Sequence, residues 1–128
     1  SMLAGMAFSN TRTTACHSIS YPLTMHYKIP HGVAVSLLLA PVLELNTSVV
    51  LDVPALLDAC GAASPQELHG RILSLLQRAG IPASLRAWGA EAKDLPYLAA
   101  QSMTKGRADN NPVPLTIETV TAILNQIL

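Results

Sequence analysis

The sequence has few aromatic and few charged residues. Phe, Trp and Tyr make up 4% of its 128 residues, and Asp, Glu, Lys and Arg make up 12%. The eight basic residues equal the eight acidic residues in number, and they form no basic run of the kind that neutralises nucleic-acid phosphates. We therefore expect no nucleic acid among the partners of this protein.

The sequence also lacks a membrane span and a cysteine pair. Its longest apolar stretch, residues 33–45, is interrupted by Ser36, Pro41 and Glu44 and falls short of the roughly 20 apolar residues that cross a bilayer. No charged segment followed by a hydrophobic core and a cleavage site opens the chain, so we expect a cytoplasmic protein without a membrane partner. Cys16 and Cys60 form no C-x-x-C pair, and we interpret both as small buried hydrophobes.

What the chain does have is aliphatic content, 50% hydrophobic residues in all, which is enough to bury one core. Ser64 and Glu67 form a capping box that predicts a helix start, with Gly80 as the stop. Thr116 is placed to cap a last helix, and residues 94–103 form another short helix after an acidic start. The predicted apolar stripes are Leu68, Ile72, Leu75 and Leu76 in the first helix and Ile117, Val120, Leu124 and Ile127 in the last.

Residues 33–45 are apolar on every side, which fits a central helix better than a buried strand because strands are usually shorter. An interior proline, Pro41, should bend this helix, and Asn46 should end it. Residues 48–53 are the only plausible strand and have no second run to pair with. The sequence therefore predicts an all-α, helical bundle-like domain over 1–128, with 1–46 holding the central helix and 47–128 the closing helices.

His17 lies on a predicted helix that runs to about Tyr27, and His31 follows a Lys-Ile-Pro turn and opens the apolar helix. A helix of that length followed by a returning loop can bring two imidazoles face to face, and neutral imidazole is a ligand for borderline divalent metals. The alternative is two unrelated side chains, because the spacing fits no zinc finger and a tight site needs three or four ligands. We expect His26 and His69 to be solvated.

Residues 1–46, SMLAGMAFSNTRTTACHSISYPLTMHYKIPHGVAVSLLLAPVLELN, resemble the signature region of the iron-containing alcohol dehydrogenases. That family has a small-residue helix with A-G-x-A-F, then H-x-x-x-H-P-L, then P-H-G, then an apolar helix that ends at an Asn. The later stretches GIPASLRAWGAEAKDLPYLAAQSM and NNPVPLTIETVTAILNQIL are similar to its closing helices. The resemblance therefore covers most of the chain.

The resemblance implies a fold, a metal site and an activity. Family members have an N-terminal α/β dinucleotide-binding domain, which this chain lacks, and a C-terminal helical domain of the dehydroquinate synthase-like fold. In the family one Asp and three His hold a divalent metal, Fe or Zn; His17 and His31 match two of these ligands, and the other two precede Ser1. We thus expect part of a homo-oligomeric NAD(P)-dependent alcohol dehydrogenase or aldehyde reductase for small alcohols and aldehydes, inactive as the isolated fragment, with NAD(P) bound mainly by the absent domain.

One position departs from the family pattern. The second histidine of H-x-x-x-H-P-L is Tyr21 here, one helical turn after His17, so a phenol can offer a hydrogen bond or a proton in the cleft. Its alternative is a tyrosine wedged between helices. The stretch NTRTTACHSISYPLT, residues 10–24, is similar to the branch that reduces phosphonoacetaldehyde (hydroxyethylphosphonate dehydrogenase), where Arg12 with its flanking threonines would favour an anionic substrate.

Two other functions compete with this assignment. Low aromatic content and an apolar surface also suit a non-enzymatic helical module that binds a protein partner. The same scaffold can also carry different chemistry, as a sugar-acid oxidase or a synthase.

Overall fold

The computed structural model describes residues 2–9 and 11–128, with the backbone alone at residues 4 and 8. The helices are α1 (Met2–Phe8), α2 (Ala15–Tyr27), α3 (His31–Asn46), α4 (Val53–Ala59), α5 (Pro65–Arg78), α6 (Leu95–Ser102) and α7 (Ile117–Gln126). Three short 3-10 turns add Arg86–Trp88, Ala92–Asp94 and Ala108–Asn110. Over the described ranges no strand forms, so the all-α prediction is confirmed.

The core surrounds α3. This helix packs against α2, α5 and α7, while α6 packs against both α2 and α7. Because neighbours cover α3 on several sides, its apolar residues can be buried around most of its circumference. The fully buried side chains of the main cluster include Ile19 and Leu23 of α2, Leu37 and Leu38 of α3, Leu98 of α6 and Leu124 of α7.

The predicted helix ends are largely confirmed. The Ser64 hydroxyl accepts a hydrogen bond from the Glu67 backbone N–H at 3.1 Å, and the Thr116 hydroxyl accepts one from the Thr119 N–H at 3.2 Å. Such bonds satisfy donors that the first helical turn leaves without an intrahelical partner. Helix α3 ends at Asn46 as predicted, with Pro41 inside it, and Gly80 follows α5 with a φ of +71°.

Three predicted burials are wrong. Leu75 is 62% exposed and Ile117 is 44% exposed, because α5 packs chiefly on α3 and Ile117 opens α7 in its first turn. Cys60 is exposed, since it caps the short helix α4, which buries only Leu57. Cys16 does pack against the core, and its burial raises the pKa of the thiol to about 11. Both cysteines are free thiols.

A buried pair of amides joins the end of α3 to the loop before α7. Asn46 donates from Nδ2 to Asn111 Oδ1 at 3.0 Å, and Asn111 donates from Nδ2 to Asn46 Oδ1 at 2.9 Å. The Val113 backbone N–H donates to the same Asn46 oxygen at 3.3 Å. Buried amides need such partners, so this pair fixes where the chain crosses from α6 toward α7.

None of the described helices is long and apolar enough to cross a membrane.

Replacing Asn46 with Ala should destabilise the domain. The change leaves the Asn111 amide and the Val113 N–H without their partner in a buried place, which we expect to lower the free energy of unfolding by about 1–3 kcal/mol. Urea denaturation followed by circular dichroism measures this quantity. Asn125→Ala is the matched control, because Asn125 is exposed on α7; an Asn46→Ala protein as stable as this control would contradict the prediction.

Candidate metal centre

The first turns of α2 and α3 meet because the link between the two helices runs back along α2. From His17 to Tyr27 the helix rises about 15 Å. The chain then reverses at Lys28, whose φ of 58° is left-handed, and Pro30 is extended with a ψ of 133°. The link returns the chain to α2, so α3 begins with the His31 ring beside Ser20 and Tyr21. Ile29, which is fully buried, anchors the link in the core.

The imidazoles of His17 and His31 are therefore neighbours. Their ring centroids lie 5.3 Å apart, with the ring planes inclined at 56°. Two imidazoles that bind one ion at about 2.1 Å have centroids about 5 Å apart when the angle at the ion is near tetrahedral. The separation and the nitrogen donors thus fit two ligands of one borderline divalent cation.

Ser20 determines which nitrogen of His31 faces outward. Its hydroxyl donates to the His17 backbone carbonyl at 2.9 Å and lies 3.3 Å from His31 Nδ1. A serine hydroxyl has one proton, so toward His31 the oxygen acts as the acceptor and Nδ1 carries the hydrogen. Nε2 then keeps its lone pair, which is the arrangement that a metal-binding histidine needs.

The surroundings of His17 favour its neutral form. Burial lowers the pKa of His17, and the nearby charges of His31 and Arg107 lower it further. A lowered pKa keeps the imidazole unprotonated at neutral pH, and only the unprotonated ring has a lone pair for a metal. His17 is half-buried while His31 is exposed, so the pair opens toward the surface of this domain.

Tyr21 lies against the same pair. Its ring stacks on His31 with centroids 5.6 Å apart and an angle of 22° between the planes. The guanidinium carbon of Arg107 lies over the Tyr21 ring, 4.7 Å from its centroid. Tyr21 is half-buried, and the site is thus a cluster of two imidazoles, one phenol and one guanidinium.

The loop that carries Arg107 is tied to α2. Fully buried Ser18 donates to the Ser102 carbonyl at the end of α6, and its oxygen lies 2.7 Å from the Thr104 hydroxyl. Since the Ser18 proton is already used, the Thr104 hydroxyl donates to it. Asn110 adds a bond from Nδ2 to the Thr13 carbonyl at 3.2 Å, just before α2. These bonds hold the loop beside the helix that bears His17 and Tyr21.

The predicted site residues thus come together in part. The structure brings His17, Tyr21 and His31 into contact, while their roles as ligands and catalytic group stay predictions. His26 is exposed, with its ring 5.4 Å from that of Tyr97. His69 is half-buried, since α5 rests on the core, so its predicted solvation is only partial. Arg12 is exposed, and a different arginine, Arg107, reaches the site.

Sequence reasoning missed Ser20 and Arg107. Ser20 follows His17 by three residues, which places it near the same face of α2, and this spacing is a signal that was available. No sequence signal links Arg107 to a histidine far earlier in the chain. Within 2–9 and 11–128 no group of three or more His, Cys, Asp or Glu side chains is placed to hold a metal.

The structure is an all-helical domain in which two imidazoles meet at the starts of successive helices, and comparison with known proteins identifies its family. Residues 1–128 match the model of the Fe-containing alcohol dehydrogenase family, C-terminal. The 1,3-propanediol dehydrogenase of Klebsiella pneumoniae is 32% identical over 135 residues, which cover 98% of this chain and 35% of that protein.

Solved structures show the same relationship. An alcohol dehydrogenase from Oenococcus oeni superposes with a TM-score of 0.74 at 27% identity, over 99% of this chain and 36% of that one. The sulfoacetaldehyde reductase from Bifidobacterium kashiwanohense, solved in complex with NAD+, superposes with a TM-score of 0.73 at 25% identity, over 90% of this chain and 31% of that one. The chain belongs to the Fe-containing alcohol dehydrogenase family and spans 35% of the length of the Klebsiella relative.

Ser20→Ala should release the His31 ring from its single tautomer. Without the Ser20 oxygen, Nδ1–H has no acceptor there, and we expect the affinity for Zn²⁺ of the protein that contains this chain to fall about 10-fold. Nitrogen-15 NMR of the imidazole reports the tautomer, and a competition titration with a chelator reports the affinity. Ser48→Ala, at an exposed serine, is the control; an unchanged tautomer in Ser20→Ala would refute the role assigned to this hydroxyl.

Proposed function

We propose that this chain is the C-terminal part of a metal-dependent, NAD(P)-linked alcohol dehydrogenase or aldehyde reductase in which His17 and His31 are two of the metal ligands. The single observation that carries the proposal is the contact between these imidazoles at 5.3 Å, with Ser20 holding His31 by Nδ1. Family membership supports it, because matched relatives are named for dehydrogenation of propanediol and reduction of lactaldehyde.

The remaining ligands and the dinucleotide site are proposed to lie outside these residues, as in the family that the sequence resembles. A bound divalent ion, Fe or Zn, would act as a Lewis acid that stabilises negative charge on the substrate oxygen, and NAD(P) would exchange the hydride. His17 and His31 would hold that ion in their neutral forms. The surface opening of the pair would allow a second domain to close over the site and exclude water.

Tyr21 is proposed to contribute to catalysis by its hydroxyl. Its ring contacts both the His31 imidazole and the Arg107 guanidinium, so both groups restrict its orientation. A phenol held beside the metal ligands can donate a hydrogen bond, or a proton, to an oxygen that becomes an alkoxide during aldehyde reduction. The substrates are proposed to be small alcohols and aldehydes, and the assembly a homo-oligomer.

The metal role of the histidines is tested by truncating each one. In the full-length protein, His17→Ala and His31→Ala should each lose bound metal and lower kcat/KM by more than about 100-fold, because each change removes a nitrogen donor. Metal analysis and steady-state kinetics measure these effects. Helical content by circular dichroism should not change.

His26→Ala is the matched control for both variants, since His26 is an exposed imidazole on the same helix. Its metal content and turnover should equal those of the unaltered protein. Full metal content in either His17→Ala or His31→Ala would overturn the assignment. Residues 1–128 alone are proposed to oxidise no NADH with any aldehyde.

Tyr21→Phe separates the hydroxyl of Tyr21 from its ring. The ring stays stacked on His31, so metal content should be retained, while loss of the hydroxyl should lower kcat for aldehyde reduction by about 100-fold. Steady-state kinetics with metal analysis on the same preparations measures both. Tyr97→Phe, at a tyrosine that is 55% exposed, is the control. Unchanged kcat in Tyr21→Phe would mean that Tyr21 serves only as a packing residue.

A further inference from the structure

Arg107 is a half-buried cation without an acidic partner. The ion pairs of the described residues join Glu67 to Arg71 and Glu91 to Lys93, and no described carboxylate lies within 4.0 Å of the Arg107 guanidinium. A charge that is partly removed from water normally has a partner of opposite sign. Among the described residues, the Arg107 guanidinium therefore has no partner of opposite sign beside the candidate metal centre.

The guanidinium carbon of Arg107 lies over the Tyr21 ring, 4.7 Å from its centroid, which is a cation–π contact. An arginine has five N–H donors in a rigid planar fork. A cation–π contact is electrostatic and forms no hydrogen bond to an acceptor oxygen, so it does not take the place of such a bond. A fork of this kind matches the paired oxygens of carboxylate, sulfonate or phosphonate groups.

The position of Arg107 is fixed relative to the histidines. The Ser18–Thr104 contact ties its loop to α2 at one end and the Asn110–Thr13 bond ties it at the other. The Asn110 backbone N–H also donates to the Arg107 carbonyl at 3.1 Å. Since Tyr21 contacts both Arg107 and His31, one aromatic ring separates the guanidinium from the proposed metal ligands.

We propose that Arg107 binds the anionic end of the substrate, so that this protein acts on short-chain aldehydes or alcohols that carry a sulfonate, phosphonate or carboxylate group. This inference rests on the proposed function, because the carbonyl at the other end of such a molecule would lie at His17 and His31. The separation of one aromatic ring limits the carbon chain between the two ends to a short one. Arg107 is then the residue that determines substrate specificity.

The test compares two aldehydes of similar length in the full-length enzyme. Sulfoacetaldehyde carries the anion and propanal carries a methyl group in its place. Arg107→Gln should lower kcat/KM for sulfoacetaldehyde about 10- to 100-fold, the usual loss when a charged hydrogen bond is removed, while kcat/KM for propanal changes less than about 3-fold. Arg107→Lys should restore part of the loss, because it returns the charge without the fork. Phosphonoacetaldehyde and succinic semialdehyde then rank the three anionic groups.

Lys105→Gln is the matched control, since it removes a positive charge from the same loop at an exposed residue. It should leave both substrates unaffected. Equal losses for sulfoacetaldehyde and propanal in Arg107→Gln would overturn the proposal and leave Arg107 as a packing partner of Tyr21. A loss that appears only as a raised KM for NADH or NADPH would also overturn it, by assigning the charge to the phosphates of the dinucleotide.

A binding measurement distinguishes this inference from the proposed function. Calorimetric titration of the full-length protein with isethionate, the alcohol that corresponds to sulfoacetaldehyde, should give binding that weakens at least about 10-fold in Arg107→Gln. Binding of this kind without any aldehyde reduction would support the anion site and refute the dehydrogenase assignment. Aldehyde reduction with no preference for anionic substrates would support the dehydrogenase assignment and refute the anion site.

Discussion

The site depends on the return of the chain from α2 to α3. His17 and His31 begin two successive helices, and successive helix starts are normally separated by the length of the first helix. Here the left-handed Lys28, the buried Ile29 and the extended Pro30 carry the chain back along α2 before α3 begins. The imidazoles meet because this three-residue link reverses the chain at Lys28, and because the apolar residues of α2 and α3 pack together in the core.

A second constraint is the bond network of Ser18. The 3.6-residue period of α2 places His17 and Tyr21, four residues apart, on one half-buried face of the helix, while Ser18 points into the protein and is fully buried. The Ser18 hydroxyl bonds to the carbonyl that ends α6 and accepts from Thr104. Helix α2 thus presents His17 and Tyr21 on one face and positions the loop of Arg107 with another. Ser18, which is next to His17, therefore contributes to the site through that loop.

The predictions succeeded where the signal is local. Helix caps at Ser64 and Thr116 depend on residues three positions apart, and the helical state of residues 33–45 depends on the length of one apolar run. The burial of Leu75, Ile117 and Cys60 depends on which neighbouring element covers each helix. The spacing of apolar residues within one helix does not contain that information. For the same reason Ser20, which bonds locally to the His17 carbonyl, was within reach of sequence reasoning, whereas Arg107 was not.

The sequence by itself determined most of the helices, the caps at Ser64 and Thr116, and the family, and it singled out the two histidines that are the proposed ligands. Tertiary structure alone decided that a tyrosine at position 21 stacks on His31, that the Ser20 hydroxyl lies beside Nδ1 of that ring, and that a cation from a distant loop lies over the phenol. The physical reason is the distance along the sequence between the residues that interact. Hydrogen bonding within a helix is set by neighbours three and four residues away, while the charge beside an active group is set by whichever loop the packed core brings there.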